Sequence, residues 1–311
     1  MTGGDGKRPT ARATALVAFS ACCFGSISVL TVLATTRGGT SLPNLLFWRY
    51  ALALAGFALV MAARGARADE PRPGPAQTAR LVLLGGAGQA AVAALSLSSL
   101  RWISAATLGF LFYTYPAWVA LFAALRRTDA VDARRAIALV LSLAGTTLMV
   151  GLPAAGGGGT QLAWPGVALA LAAAITYALY IPLLGRISAA AGPVGGSACV
   201  AAGAALLLGG WALVDGALTV RMSPLAWGAA STLALLCTVL AFVAFLSGLG
   251  VLGPVRAAIV STVEPFWTAV LGAVLLAQPI TLPTVGGGVL IAAAVLLLQL
   301  PPRRAAAAAA G

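Results

Sequence analysis

Ten stretches of about 20 mainly apolar residues, nearly empty of charge, follow one another along this 311-residue chain. They run over 14–34, 43–63, 81–100, 103–125, 135–152, 164–184, 195–214, 224–247, 257–276 and 281–300. A helix needs a segment of that length and composition to cross the hydrocarbon of a bilayer. Each backbone polar group in lipid must find its partner inside the segment, so the stretches predict helices and not irregular chain. Composition agrees: 60% of the residues are apolar and 8% are charged, against about 25% charged in a soluble domain. Too few charges remain to cover a surface that faces water. The expected fold class is an all-α integral membrane protein with ten transmembrane helices.

The net charge of +12 would suggest nucleic acid if the basic residues were clustered, and they are not. One set of connecting segments holds Lys7, Arg8, Arg12, Arg64, Arg67, Arg72, Arg80, Arg126, Arg127, Arg134, Arg135, Arg186, Arg256, Arg303 and Arg304. The alternate set holds Arg37, Arg101 and Arg221. Lys and Arg accumulate in cytoplasmic loops. The asymmetry therefore predicts a multi-pass protein of the cytoplasmic (inner or plasma) membrane with both termini in the cytoplasm, as an even number of crossings allows. The first stretch follows Lys7, Arg8 and Arg12 as a signal peptide would. It is too long for one and nine more follow, so it reads as a retained helix. The chain has no His, which removes the commonest metal ligand and general base. Cys22, Cys23, Cys199 and Cys237 lie in apolar runs and read as small packing residues. No metal and no cofactor is expected. No Gly-x-x-x-x-Gly-Lys-Ser/Thr loop occurs, which argues against ATP as the driving force.

The segment 153–163, rich in Gly and free of charge, reads as a flexible extracytoplasmic linker. It divides the chain into 13–152 and 164–300, five spans each, flanked by a polar cytoplasmic tail over 1–12, expected to be disordered, and an Ala-rich cytoplasmic tail over 301–311. A shift of 149 residues lays 95–125 on 244–274 and matches Leu97/Leu246, Ser98/Ser247, Leu100/Leu249, Pro116/Pro265, Trp118/Trp267, Ala120/Ala269 and Ala124/Ala273. Leu and Ala matches are cheap in this composition, whereas Pro-x-Trp-x-Ala at one depth of spans four and nine is not. Five is odd, so the second half enters the membrane from the opposite side. Two inverted five-helix repeats around a central cavity can exchange conformations and expose that cavity to each side in turn.

The stretch Pro254-Val-Arg-Ala-Ala-Ile-Val-Ser-Thr-Val-Glu-Pro-Phe-Trp-Thr-Ala-Val-Leu-Gly-Ala-Val-Leu-Leu276 and its partner Ser104 to Leu125 resemble the signature of EamA-type carriers of the drug/metabolite transporter superfamily. Glu264-Pro265 before a run of small residues is the most specific element. The resemblance covers nearly the whole chain. It implies transport of small metabolites, often outward, through a two-bundle fold with a central cavity, and does not fix the substrate. The chain departs from the pattern at the ends of spans four and nine. Many relatives have an acidic residue there; this chain has Arg126 to Asp129 and Ala277-Gln278.

Polar groups inside hydrocarbon are costly and usually face a cavity or a partner. Arg49 and Glu264 are the formally charged residues well inside spans. At 1.5 Å per residue, Arg49 lies roughly 9 Å below the outer boundary and Glu264 roughly 11 Å above the inner one. About 10 Å then separates their backbones along the normal of a core about 30 Å thick. Arg49 reads as a bidentate donor to an anionic group such as a carboxylate, or as a side chain that snorkels outward or pairs with Glu264. A carboxyl group in a low-dielectric pocket can take up and release a proton. Glu264 therefore reads as a proton-coupling or cation-binding group, or as a packing residue that satisfies amides freed by Pro265. Ser261, Trp267 and Thr268 are its helical neighbours at three or four residues and are expected to face the cavity. Tyr113, Tyr115, Tyr177, Tyr180 and the lone polar Gln89 are further candidate contacts, with packing as the alternative. Pro116 and Pro265 are expected to kink their helices and shape the cavity.

The function expected is a secondary transporter, in the exporting direction, of small metabolites or amino-acid-like solutes, with alternating access and coupling to protons. A channel needs rings of polar residues along several helices, and these spans are too apolar for a wet pore. A receptor or assembly protein without transport is the remaining alternative of that class. A membrane enzyme needs several acids, His or Lys near the interface. Of seven acids, Asp129 and Asp132 sit beside Arg126, Arg127, Arg134 and Arg135 and read as charge-balanced loop residues. The expected partners are a small-molecule solute and membrane lipid, and a homodimer is compatible with this arrangement.

Overall fold

The structure, a computed structural model, describes residues 7–64, 73–125, 133–151, 164–188 and 191–299. The expected linker over 153–163, the tail over 301–311 and the loop residues Arg126 to Asp129 lie outside the described residues. So do residues 1–6 of the expected N-terminal tail.

In the first half, α1 (Lys7–Val32), α2 (Leu42–Arg64), α3 (Pro75–Arg80), α4 (Gly86–Ser98), α5 (Ala105–Phe112), α6 (Tyr115–Leu125) and α7 (Ala133–Gly151) follow in order. The second half contains α8 (Trp164–Ser188), α9 (Pro193–Val214), α10 (Pro224–Ser231), α11 (Ala241–Ser261), α12 (Val263–Leu276) and α13 (Leu282–Gln299). No strand occurs among the described residues. Wider π-helical turns extend α1 over Leu33–Arg37, join α3 to α4 over Leu81–Gly85, and join α10 to α11 over Thr232–Leu240. Six helical runs among the described residues are long and apolar enough to cross a membrane: Thr10–Arg37, Leu42–Ala63, Pro75–Arg101, Trp164–Ser188, Val194–Val214 and Pro224–Leu252. Shorter apolar helices follow at Ala136–Gly145, Val263–Leu276 and Leu282–Leu297.

Three boundaries differ from the sequence expectation. Helix α1 begins at Lys7, inside the tail expected to be disordered; Pro9 is tolerated because the first turn of a helix needs no intrahelical donor. The connection expected over 248–256 is helical, within α11. That segment is Gly-Leu-Gly-Val-Leu-Gly-Pro-Val-Arg, and apolar chain keeps its amides paired by remaining helical. The fourth stretch, expected as one helix over 103–125, is interrupted at Tyr113 and Thr114.

The two halves pack as related bodies. Helix α2 packs on α9, α7 on α13 and α5 on α12; α1 packs on α11 and α12, and α8 on α4, α5 and α6. Exchanging the halves carries α2–α9 and α7–α13 onto themselves, and the packing of α1 on α11 and α12 onto that of α8 on α4, α5 and α6. The irregularities obey the same exchange. A shift of 149 carries the interruption at Tyr113 onto Thr262, where α11 gives way to α12. It also carries the wide turn Leu81–Gly85 onto 230–234, overlapping Thr232–Leu240.

The core is apolar, as in a soluble protein, but large apolar side chains also cover the outside and several polar ones are inside. Leu59 and Leu206 are each 70% exposed, while Ser20, Thr31, Asn44, Arg49 and Thr268 are buried. Small residues make this possible. A Cβ on Gly86 would stand 2.5 Å from Cα of Gly203, so α4 and α9 touch backbone to backbone, as membrane helices do at small residues. Cys23 and Cys237 pack together with Ala241, and all four cysteines are free thiols.

Candidate functional site

Between the halves lies a cavity of about 640 Å³, lined by α1, α2, α4, α5 and α6 from the first half and α8, α9, α11 and α12 from the second. That volume falls in the range of small-molecule sites. Its walls are largely apolar, from Phe24, Phe57 and Phe242 among others, and two hydrogen-bonded polar groups stand among them, around Glu264 and around Arg49.

The first polar group gathers where two interrupted helices meet. Proline has no N–H, so Pro265 leaves the Ser261 carbonyl, four residues earlier, without its helical donor. The hydroxyl of Tyr113 lies 2.8 Å from that carbonyl oxygen and 2.7 Å from Oε2 of Glu264. Tyr113 sits at the end of α5, so the break in one half meets the break in the other. Helix α12 is held beside α1 by Thr268, whose Oγ1 stands 2.7 Å from the carbonyl of Gly25 and 3.0 Å from that of Glu264. Glycine is required at 25: a Cβ there would lie 2.6 Å from the Glu264 carbonyl oxygen and 2.9 Å from Oγ1 of Thr268.

Arg49 anchors the second group. It is 6% exposed, its Nε donates to Oγ1 of Thr238 at 3.2 Å, and its guanidinium carbon stands 5.1 Å from the ring centre of Tyr50, within cation–π range. The Tyr50 hydroxyl accepts from Nε2 of Gln89 at 2.8 Å. Thr238 is presented by the wide turn Thr232–Leu240, and its own hydroxyl stands 2.7 Å from the Leu233 carbonyl. The hydrogen bonds of Arg49 and Glu264 thus run to Thr238 and Tyr113 and not to one another. A guanidinium has five N–H donors. The one engaged donor among the described residues is Nε, which leaves the planar pair of terminal nitrogens for a bidentate acceptor.

Between the two groups stands an aromatic wall. Tyr177 lies 5.1 Å from Phe112 and 4.9 Å from Tyr115, ring centre to ring centre, and 6.3 Å from Tyr180. Tyr180 is fixed by a bond from its hydroxyl to the Gly85 carbonyl, 3.0 Å, and its ring fills the space that the absent side chain of Gly88 leaves.

Arg49, Gln89, Tyr113, Tyr115, Tyr177, Tyr180, Glu264 and Thr268 all line this cavity. Ser261 and Trp267 do not: the Ser261 hydroxyl bonds back to the Ala257 carbonyl at 3.0 Å. Trp267, 37% exposed, donates to Oγ of Ser26 at 3.1 Å. Pro116 and Pro265 sit just beyond the interruptions, in the first turns of α6 and α12. Tyr50, Thr238 and Phe112 escaped the sequence reading. Thr238 had a signal, as the one hydroxyl in the run 233–246.

The two ends of the cavity differ. At one end it reaches the connection from α8 to α9, where Ser188, Ala191 and Gly192 line it. At the other end none of the connecting segments 38–41, 102–104, 215–223 and 277–281 contributes a lining residue. Those segments are tied together. Asn44 accepts from the Thr219 amide at 3.0 Å, and Trp48 donates to the Thr219 carbonyl at 3.0 Å. Ser223 donates to the Gly38 carbonyl at 2.8 Å, and Arg37 to that of Leu275 at 3.2 Å. Gln278 accepts from the first amide of α5, Ala105, at 3.1 Å.

The family model of the EamA-like transporter family matches residues 12–151 and again residues 164–300. The chain belongs to the EamA-like transporter family. The two matches coincide with the two halves seen in the packing, so the EamA unit is repeated and the cavity lies between its copies. EamA proteins are membrane transporters of the drug/metabolite transporter superfamily, and the apolar helices make this chain a multi-pass membrane protein. No curated protein matches the chain in sequence. Twenty solved chains are similar in structure. One of them, a crystal structure, is 19% identical with a TM-score of 0.61 over 92% of this chain and 96% of its own. At that identity it speaks for the fold alone.

Proposed function

We propose that this EamA protein is a secondary carrier that moves a small metabolite or amino-acid-like solute outward across the cytoplasmic membrane. It crosses ten times, with α5–α6 and α11–α12 as broken elements and both termini in the cytoplasm, in two inverted halves. The observation that carries this reading is the unequal cavity. It lies between the halves, reaches the α8–α9 connection at one end, and is shut at the other by bonds that join one half to the other. The open end adjoins Arg80 and Arg186, in segments that the charge asymmetry assigns to the cytoplasm. A carrier resting in its inward-facing state has this form, whereas a channel needs a path through both ends.

Within the cavity Arg49 takes an anionic group of the solute through its terminal nitrogens, and the aromatic wall packs against the rest. Glu264 carries the coupled proton. A thermal-shift screen of the purified protein against amino acids, nucleobases, sugars and cationic drugs tests for a bound class. A panel with no stabilising ligand would count against the carrier reading. With the solute found, Glu264→Gln is expected to abolish pH-driven transport in proteoliposomes, and undiminished transport rejects the coupling role. Arg49→Ala is expected to weaken anionic solutes most, by about 1.5–3 kcal/mol if a charged hydrogen-bonded contact is lost. An equal loss for neutral solutes rejects that role.

A further inference from the structure

Tyr113 faces two acceptors with one proton. Its oxygen is 2.7 Å from Oε2 of Glu264 and 2.8 Å from the Ser261 carbonyl oxygen, and a phenol donates one hydrogen bond at a time. The two acceptors differ in kind. The carbonyl has a constant need, because Pro265 cannot supply its helical donor. The carboxyl group changes its need with its own protonation state.

We propose that Tyr113 is the positioning residue through which protonation of Glu264 reaches the joint between the two interrupted helices. The proposal rests on the reading of Glu264 as the proton carrier. When Glu264 is ionised, the charge-assisted bond is the stronger one, so Tyr113 donates to the carboxylate and the Ser261 carbonyl is left without a donor. When Glu264 takes a proton from the cavity, the new carboxyl O–H donates to the Tyr113 oxygen. The Tyr113 hydroxyl then turns to Ser261. No covalent bond of Tyr113 breaks, and the proton gained stays on Glu264. Both distances are already at hydrogen-bonding length, so the exchange needs only rotation of two hydroxyls.

The place of this exchange gives it reach. Tyr113 ends α5, Ser261 ends α11 and Glu264 lies in the first turn of α12. Tyr113 and Thr262, the interruptions themselves, are mates under the shift of 149. The same seam brings α5 against α12: a Cβ on Gly109 would make an ordinary contact with Cα of Pro265, at 3.6 Å. An unsatisfied buried carbonyl is costly, so the ionised form loosens this seam and the protonated form closes it. The other titratable groups that face Glu264 are Cys22 from α1, Tyr115 from α6 and Tyr177 from α8. Free thiols and phenols titrate near about 8.5 and 10, above the range in which a carrier exchanges protons. Arg49 from α2 lines the same cavity and is engaged with Thr238.

The test needs no solute. Ser188, at the open end of the cavity, is replaced by cysteine after Cys22, Cys23, Cys199 and Cys237 are changed to Ala, and the protein is reconstituted in liposomes. Maleimide labelling is followed between about pH 5 and 8, with rates normalised at each pH to the unfolded protein. With Tyr113 present, the normalised rate is expected to change about fivefold or more, as for typical coupled equilibria. Tyr113→Phe is expected to flatten it, while the infrared carboxyl band shows that Glu264 still titrates. Pro265→Ala should flatten it as well with Tyr113 and Glu264 both in place, because the restored amide satisfies the Ser261 carbonyl. A response in Tyr113→Phe equal to that of the parent overturns the proposal and leaves Glu264 as the carrier. A response that survives in Glu264→Gln overturns the coupling role of Glu264 itself, and the Tyr113 proposal with it.

Discussion

A buried arginine is tolerable only while its charge has company. Among the described residues, Arg49 has one hydroxyl and one ring: Thr238 at 3.2 Å and Tyr50 beneath the guanidinium. Thr238→Val keeps the shape and removes the acceptor. It is expected to lower stability in detergent by about 1.5–3 kcal/mol, as for a hydrogen bond to a charged group, read by thermal unfolding. Glu264 and Arg49 were legible because a charge inside an apolar stretch is conspicuous. Their pairing with Thr238 and Tyr113 was not, since an Arg and a Glu in one cavity invite the thought of an ion pair, Thr238 looks like packing, and Tyr113 reads as a contact for the solute. Ser261 and Trp267 failed as cavity residues for a clear geometric reason. Counting three residues either way from Glu264 assumes one continuous helix, and the interruption at Thr262 turns Ser261 off that face. Trp267 instead reaches Ser26 on the neighbouring α1.

Among elements, the contact of α1 with α12 constrains the site closely. Gly25→Ala would set a methyl group 2.6 Å from the Glu264 carbonyl oxygen, which α1 can avoid only by moving away from the seam. The expected loss is about 1–3 kcal/mol, typical of overpacking. Gly228→Ala is the control, because nothing lies within 4 Å of the added atom and alanine favours helix by up to about 1 kcal/mol. Parallel melting curves distinguish the two. The repeat was legible from Pro-x-Trp-x-Ala alone, and the structure places a helix interruption at equivalent points of both copies. The wide turns were not legible. They arise in runs such as Thr232–Leu240 where no residue type marks them, and they are held by contacts from other helices. The helical course of 248–256 was hidden because three glycines and a proline imitate a loop, and composition alone does not weigh the cost of unpaired amides in lipid.

At the scale of the molecule, the shut end should behave as a latch. Thr40 and Met222 face each other across it, with Oγ1 3.3 Å from the sulfur. A Thr40→Cys/Met222→Cys pair, oxidised, is expected to hold that end closed. Transport would stop while ligands still reached the cavity from the α8–α9 side, and a reductant would restore turnover; transport through the oxidised protein would rule out opening at this end. The chemistry of the latch has an evolutionary corollary. The side chains of Asn44, Trp48, Ser223, Arg37 and Gln278 each grip a main-chain amide or carbonyl of the opposing segment. Main-chain groups are common to nearly every residue type, so the gripped segments are free to drift in sequence without breaking the grip. Descendants of this chain can therefore diverge at 219 and 275 without matching substitutions opposite, whereas Gly38 is held separately, a Cβ there standing 2.5 Å from the Ala34 carbonyl oxygen; searches for correlated changes between positions will pass over much of the seam that shuts the cavity.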